Sequence, residues 1–312
     1  MSNEQKIKII SSIFGEYSKS GKEFLFYCPA CKHHKKKLSV NLEKDKFKCW
    51  ICDYSGNSIR RLVRRYGDAT QKQEWYKIDN RIELADFDLD FFDEKEEESQ
   101  ETIELPKQFM SLCNKETLAS TVPLSYLKNR RINKQDILQW KIGYCFEGDY
   151  EGRIIIPSFD MKGEPNFFVA RAYSKSYYPK YKNPPASKNI IFNELYLDFD
   201  EDLIITEGVF DAIVAGNNSV PILGSTINEK SRLFQKIVTY DTTVYLALDP
   251  DAKDKENKII ENLLKYGIEI YKIKVDPFKD VGSMTKEDFQ SRKKDAILID
   301  NDNYFVYQTM CA

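Results

Sequence analysis

The stretch LIITEGVFDAI, residues 203–213, sets an apolar run against Glu207, a glycine that permits a tight turn, and Asp211 beyond it. This reads as a strand running into a helix, with a carboxylate at the strand's carboxyl end, where open parallel sheets place their sites. The pattern recurs in VYLALDPDAKD, where a strand over 244–248 delivers Asp249 and Asp251. Side chains two apart on an extended chain point the same way, so both aspartates face one side. A third apolar strand, IEIYKIKV, leads into DPFKDVGSM and Asp280. Glu207, Asp211, Asp249, Asp251 and Asp280 are therefore expected to converge on one edge of a mostly parallel sheet.

One acid at a strand end is usually a helix cap or part of a solvated turn; three strand ends carrying acids call for another explanation. Crowded carboxylates repel, and without a counter-cation they hold extra protons or weaken the fold. Mg2+, a hard cation that prefers oxygen ligands, is the expected occupant, with Mn2+ an alternative. Metal ions held this way orient and neutralise phosphates in phosphoryl transfer. The chain's two histidines, His33 and His34, are neighbours far from these acids in sequence and offer them no general base.

A second constellation lies in CPACKHHKKKLSVNLEKDKFKCWIC, residues 28–52. Cys28, Cys31, Cys49 and Cys52 form C-x2-C-x17-C-x2-C, the spacing of a structural zinc site. Between the pairs, KLSVNLEKDKFKC alternates apolar and polar residues with Lys44-Asp45 at a turn, which predicts a β-hairpin and hence a zinc ribbon. So small a module buries too little surface to be stable alone, and the metal supplies folding free energy. His33 and His34 follow the first pair too closely to join a tetrahedron already filled by thiolates. Lys32, Lys35, Lys36 and Lys37, with Arg60, Arg61, Arg64 and Arg65 on a following helix, are expected to form a positive surface for phosphate. Trp50 and Tyr54 offer rings on which unpaired bases can stack. Cys113, Cys145 and Cys311 lack paired spacing and read as ordinary small apolar residues.

Composition sets the frame: 312 residues, 42% hydrophobic and 31% charged, suit a folded multidomain protein. The net charge of -2 conceals an asymmetry along the chain. Residues 1–78 carry 17 Lys+Arg against 8 Asp+Glu, whereas residues 79–104 carry 2 against 12. That acidic strip reads as a solvated linker, or alternatively as a nucleic-acid mimic that docks on the basic module. The first residues are too polar for a signal peptide, and no run approaches the roughly 20 apolar residues of a membrane span. A cytoplasmic location is expected, where thiols stay reduced and paired cysteines bind metal.

With these motifs in view, EGVFDA, the DPD after an apolar strand, and KDVGSM together resemble the TOPRIM module of bacterial-type primases, topoisomerases and recombination mediators. GRIIIPSFDMKGEPNFFVARAYSKSYYPKYKNPP, residues 152–185, resembles the start of the DnaG-type primase RNA-polymerase core, including its Pro-Lys-Tyr-x-Asn motif. SYLKNRRINKQDILQWKIGY, residues 125–144, resembles the helical segment at which that core begins. The resemblance implies a multidomain α+β chain: an N-terminal zinc ribbon followed by a primase core containing an α/β TOPRIM domain with a mostly parallel sheet. The expected divisions are a template-binding ribbon over 1–78, the acidic linker over 79–104, the N-terminal subdomain of the polymerase core over 105–200, and TOPRIM over 201–312.

The resemblance further implies a nucleotidyltransferase that makes short RNA primers on single-stranded DNA from ribonucleoside triphosphates, with structural Zn2+ and catalytic Mg2+. Glu207, Asp249 and Asp251 are the implied magnesium ligands, with Asp211 and Asp280 beside them. Arg153, Arg171, Lys180 and Asn183 are implied to contact template and nucleotide phosphates. With no Walker motif and little chain after the TOPRIM segment, a replicative helicase is expected to be a separate protein, as for stand-alone primases of some phages. Abundant Lys, Asn and Ile accord with a phage gene expressed in a bacterial host.

Three departures from the family pattern stand out. Cys31 occupies a place where many bacterial primases have histidine, Asp254 stands where glycine is expected, and Gly282 where a second acid often follows Asp280. The competing readings are a recombination mediator that binds DNA without polymerising, a TOPRIM nuclease, and a type IA topoisomerase, for which the chain is short.

Overall fold

The computed structural model describes residues 3–56, 58–78, 102–114, 117–225 and 227–300, with 303, 304 and 307. The chain divides into two compact units, Met1–Asp88 and Leu89–Ala312. Most of the acidic strip, residues 79–101, lies outside the described residues, as does Cys311.

The first unit is built on an antiparallel sheet with strand order β1-β2-β3-β4-β5. Helix α1 (Asn3–Phe14) precedes β1 (Ser18–Ser20), β2 (Glu23–Phe26), β3 (Leu38–Asn41), β4 (Lys46–Cys49) and β5 (Ser55–Gly56); α2 (Arg60–Tyr66) and α3 (Ala69–Ile78) follow. The predicted hairpin is β3–β4, paired from Leu38↔Cys49 to Asn41↔Lys46, with Asp45 in the left-handed region at φ 49°. Alternation along β4 explains its register: Lys46 and Lys48 are exposed, whereas Phe47 and Cys49 are buried. The inward residues join Phe26, Leu38, Val40, Ile10, Leu62 and Trp75 in a small core.

The second unit holds two sheets. The first is antiparallel, in order β6 (Phe109–Ser111), β7 (Gly143–Cys145), β8 (Arg153–Phe159) and β9 (Pro165–Ala172). Between β6 and β7 lie α4 (Thr121–Asn129) and α5 (Lys134–Gln139), the latter capped by Asn133 and Asp136 in reciprocal side chain-to-backbone bonds. The second sheet comprises β10 (Leu203–Thr206), β11 (Ser219–Pro221), β12 (Val244–Ala247), β13 (Ile270–Lys272) and β14 (Ile297–Ile299), in the order β11-β10-β12-β13-β14. All its pairings are parallel except β13–β14. Helices α6 (Val209–Ala215), α7 (Arg232–Tyr240), α8 (Lys253–Lys265) and α9 (Lys286–Lys294) connect the strands.

The central strands read as apolar runs because both of their faces are covered. Leu203, Ile205, Val244 and Leu246 point into the main core, while Ile204 and Ala247 point into a second core with Val281, Met284 and Phe289. From β10 the chain passes outward to β11 and then returns to β12 on β10's other side. That reversal opens a crevice at the carboxyl ends of β10 and β12. Thr206 is paired with Ala247, so the residues just beyond, Glu207 and Leu248-Asp249, emerge side by side at its mouth. Among the described residues, no helix is long and apolar enough to cross a membrane.

Candidate active site

In the first unit the two Cys-x-x-Cys turns face each other. Cys28 Sγ lies 3.8 Å from Cys52 Sγ, Cys31 Sγ lies 3.8 Å from Cys49 Sγ, and all four sulfurs fall within 4.8 Å of one another. A tetrahedron with Zn–S bonds of ~2.3 Å has edges of about 3.8 Å, so the four thiols fit zinc as placed. The cluster takes in neither His33 nor His34. Their rings lie 4.3 Å apart, and His33 Nδ1 accepts from the Lys35 N–H.

Two expectations about the surface of this module need correction. Trp50 is 65% exposed, with the Lys48 ammonium 5.4 Å from its ring, and so is available for stacking. Tyr54 packs between Phe47 and Tyr66, at centroid distances of 5.2 and 6.5 Å, and burial pushes its phenol well above the ordinary range. Its ring serves the core. Arg60 goes further than the partly buried Tyr54 and is buried, because α2 turns that position inward with Leu62 and Val63.

In the second unit the acids gather where the sheet reverses. Asp249 feels four other carboxylates: burial first, then Asp211, Glu207, Asp280 and Asp251, push it up to about 7. Its Oδ1 is buried without a hydrogen-bond partner. Such an oxygen, surrounded by negative charge, suits a cation. Among the described residues only the cysteines bring three or more ligand atoms within 4.8 Å; the carboxylates stand further apart. That wider spacing suits Mg2+, which keeps several waters and is held by one or two carboxylates together with substrate phosphates.

The five acids have different surroundings. Glu207 is paired with Lys255 Nζ at 2.6 Å, from the first turn of α8. Asp211 is buried, and both its oxygens accept backbone N–H groups, Gly208 at 2.9 Å and Gly282 at 2.7 Å. Burial raises it to about 6; the Gly282 N–H opposes this, and the Asp280 charge adds to it. These contacts make Asp211 the tie between the end of β10 and the Asp280 turn. Asp280 begins the short 281–283 turn, and its carbonyl accepts from Ser283 Oγ at 2.7 Å. Asp251 is exposed at the rim.

Cations border this cluster. Lys180 is held below its ordinary range, chiefly by Arg171, then by burial, Lys279 and Arg130, with Asp280 pulling the other way. Lys180 therefore lies within electrostatic reach of both the cationic group and the acidic one. Arg171 stacks its guanidinium 4.7 Å from the Tyr181 ring, and its Nε is buried without a hydrogen-bond partner. Arg153 is 4% exposed, and its two Nη atoms donate to the Glu151 and Pro179 carbonyls, so it braces the 173–180 loop. Asn183 Oδ1 accepts from the Ala170 N–H and pins the segment that follows this loop to β9.

Sequence reasoning did not single out Arg130, Lys279 or Lys255. Arg130 lies 4.7 Å from the Phe210 ring and donates Nε–H to Tyr126 Oη at 2.9 Å. Its signal was the paired arginine directly after α4; that of Lys279 was its place beside Asp280.

Residues 2–86 match the DnaG zinc-ribbon family described as CHC2 zinc finger. It is 23% identical over 301 residues to the DNA primase of Campylobacter jejuni, covering 79% of this chain and 48% of that one. With the DNA primase of Mycoplasma pneumoniae it shares 25% over 331 residues, covering 85% and 53%. The chain thus spans about half the length of these curated relatives. In fold it is similar to the zinc-binding and RNA polymerase domains of Aquifex aeolicus primase, with a TM-score of 0.50 and 18% identity over 96% of this chain and 87% of that one. It is also similar to a DnaG primase catalytic domain bound to ssDNA, with a TM-score of 0.52 and 18% identity over 62% and 77%.

Proposed function

We propose that this relative of the DnaG-type primases synthesises short RNA primers on single-stranded DNA from ribonucleoside triphosphates. The observation that carries the reading is the meeting, within one unit, of an acidic cluster around Asp249 with the cations Arg130, Arg171, Lys180 and Lys279. Phosphoryl transfer needs little covalent chemistry from protein groups; it needs positioning and charge neutralisation.

Asp249 and Asp251, with Glu207 once released from Lys255, are the residues to hold Mg2+. Bound there, magnesium neutralises phosphate charge and orients the reacting groups. Asp211 and Asp280 set the spacing of the cage from either side. Arg171, with its unpartnered Nε, and Lys180 grip triphosphate or template phosphate, arginine favouring bidentate contact with phosphate oxygens. In the reaction a primer 3'-hydroxyl attacks the α-phosphate, the new phosphodiester bond forms, and pyrophosphate leaves. Zinc has a structural role in the ribbon, where Trp50 and the exposed Lys46 and Lys48 offer a face to single-stranded template. A separate replicative helicase is the partner the resemblance supports.

The deciding experiment supplies single-stranded DNA, the four ribonucleotides and Mg2+ to the zinc-loaded chain and looks for labelled oligoribonucleotides. Product from the unaltered chain, and none from Asp249→Asn despite retained DNA binding, is the expected result. DNA binding without product would favour a mediator-like role, and strand cleavage without nucleotides a nuclease.

A further inference from the structure

Sheet strands deliver Glu207, Asp249 and Asp251, but Asp280 comes from the long connection between β13 and α9, which no ladder of hydrogen bonds fixes. Val281 and Met284 anchor that connection below, both fully buried. Gly282 N–H ties it to Asp211. Arg292 Nη1 holds the start of the connection by donating to the Lys274 and Asp276 carbonyls, and further restraints come from residues 130–136, the loop after α4 and the first turn of α5, which contribute none of the five acids. Arg131 stands in the left-handed region at φ 60°, and its Nη1 donates to the Ser283 carbonyl at 2.8 Å. Five residues on, the Asp136 carboxylate, 3% exposed, takes the Lys286 ammonium from the first residue of α9. The turn that presents Asp280 is thus clipped twice on its carboxyl-terminal side, at Ser283 and at Lys286, to a segment of distant sequence.

We propose that the 130–136 segment is a positioning element for the acidic cage: Arg131 holds the Asp280–Ser283 turn against α6, and the Asp136–Lys286 pair fixes where the following helix starts. This rests on the metal-binding reading of the cage given above. Loss of Arg131 leaves the buried Val281 and Met284 and the Gly282–Asp211 bond in place, so the turn stays folded but gains lateral freedom. The cage then has to be ordered when the ion binds, and affinity falls.

The test titrates Mn2+, a paramagnetic probe, into the zinc-loaded full chain and follows free Mn2+ by electron paramagnetic resonance, with melting temperature recorded alongside. Arg131→Ala is expected to weaken Mn2+ binding about five-fold, as fits one exposed hydrogen bond to a carbonyl. Its melting temperature should stay within about 2 °C of the unaltered chain. Arg131→Lys, which retains one donor, should recover part of the affinity. Because Asp136 is buried and caps α5, the second clip is tested from its exposed partner: Lys286→Gln should also weaken Mn2+ binding. Equal affinity in Arg131→Ala and the unaltered chain would overturn the inference while leaving the cage itself intact. A melting temperature lowered by more than about 5 °C would make the loss a folding defect and overturn it as well. An unaltered chain that takes up no Mn2+ would remove the metal reading, and the inference with it.

Discussion

Asp249 is a residue whose charge the folded state disfavours, and replacing it by asparagine should stabilise the protein while abolishing primer synthesis. A carboxyl raised from 3.8 to about 7 is one whose ionised form the folded state disfavours. At about 1.4 kcal/mol for each tenfold change in proton affinity, that rise corresponds to roughly 4 kcal/mol before solvent is considered. The side chain is only half-buried, so screening leaves on the order of 1–2 kcal/mol. The sign follows from linkage: below about pH 4 both folded and unfolded states hold the proton and nothing is lost. Between about 4 and 7 the unfolded chain ionises first, and the cost to the folded state grows; above about 7 it is constant. An asparagine side chain has the same shape, no charge, and an amide that can donate to the surrounding carboxylates. In magnesium-free buffer at pH 8 the Asp249→Asn protein should therefore melt roughly 3–6 °C higher by calorimetry. The difference should shrink towards zero as the pH falls to about 4, and it should narrow at pH 8 when Mg2+ neutralises the unaltered cluster. A variant that melts at or below the unaltered protein at pH 8, or by a margin that ignores pH, refutes the idea that these acids are crowded against one another.

Three further outcomes are expected. Cys49→Ser removes a buried ligand of the four-sulfur cluster; the chain should lose its zinc by metal analysis, and the first unit should lose its cooperative melt, because structural zinc contributes ~10 kcal/mol or more. A variant that retains one equivalent of zinc would show that three thiolates suffice. Lys255→Ala frees Glu207 from its 2.6 Å partner; Mn2+ binding should tighten about five-fold, in line with a partly screened ion pair, and no change would mean that Lys255 does not compete with the ion. Arg171→Ala should weaken triphosphate and single-stranded DNA binding about ten-fold and flatten the dependence of DNA affinity on salt. Unaltered affinity between about 50 and 200 mM salt, the range in which such contacts tell most strongly, would remove Arg171 from the phosphate-binding group.

The sheet and its acids were legible because they rest on short-range patterns. The runs LIIT and VYLA are apolar at every position or nearly so, since both faces are buried, and the first polar residues after them necessarily emerge at the strand ends. The ribbon was legible from its cysteine spacing and from the alternation of KFKC. What the sequence concealed is which charged groups are already engaged. The resemblance gives Arg153 a phosphate-contacting role, yet it donates to Pro179, 26 residues away, a contact no local pattern encodes. Tyr54 and Arg60 lie in a basic, aromatic stretch that reads as surface; helix α2 turns Arg60 inward, and Tyr54, partly buried, packs its ring against the small core. Lys255 and Arg130 reach the acids only once α8 and α4 have packed.

Gly282 shows how tertiary context changes the meaning of a departure from pattern. Read along the chain, a glycine where a second acid often stands is a missing metal ligand. In the folded unit a Cβ at that position would lie 2.9 Å from Asp211 Oδ1, so a side chain there would force the Asp211 carboxylate or the turn to shift. Its backbone N–H meanwhile donates to that same oxygen at 2.7 Å. In a cluster where Asp249 already feels four neighbouring carboxylates, a sixth acid would add repulsion. A backbone N–H does the opposite, since hydrogen bonding to the ionised form favours it. The position that lacks a ligand is thus one that helps keep Asp211 charged, and it links the β10 edge of the cage to the Asp280 edge through a single bond.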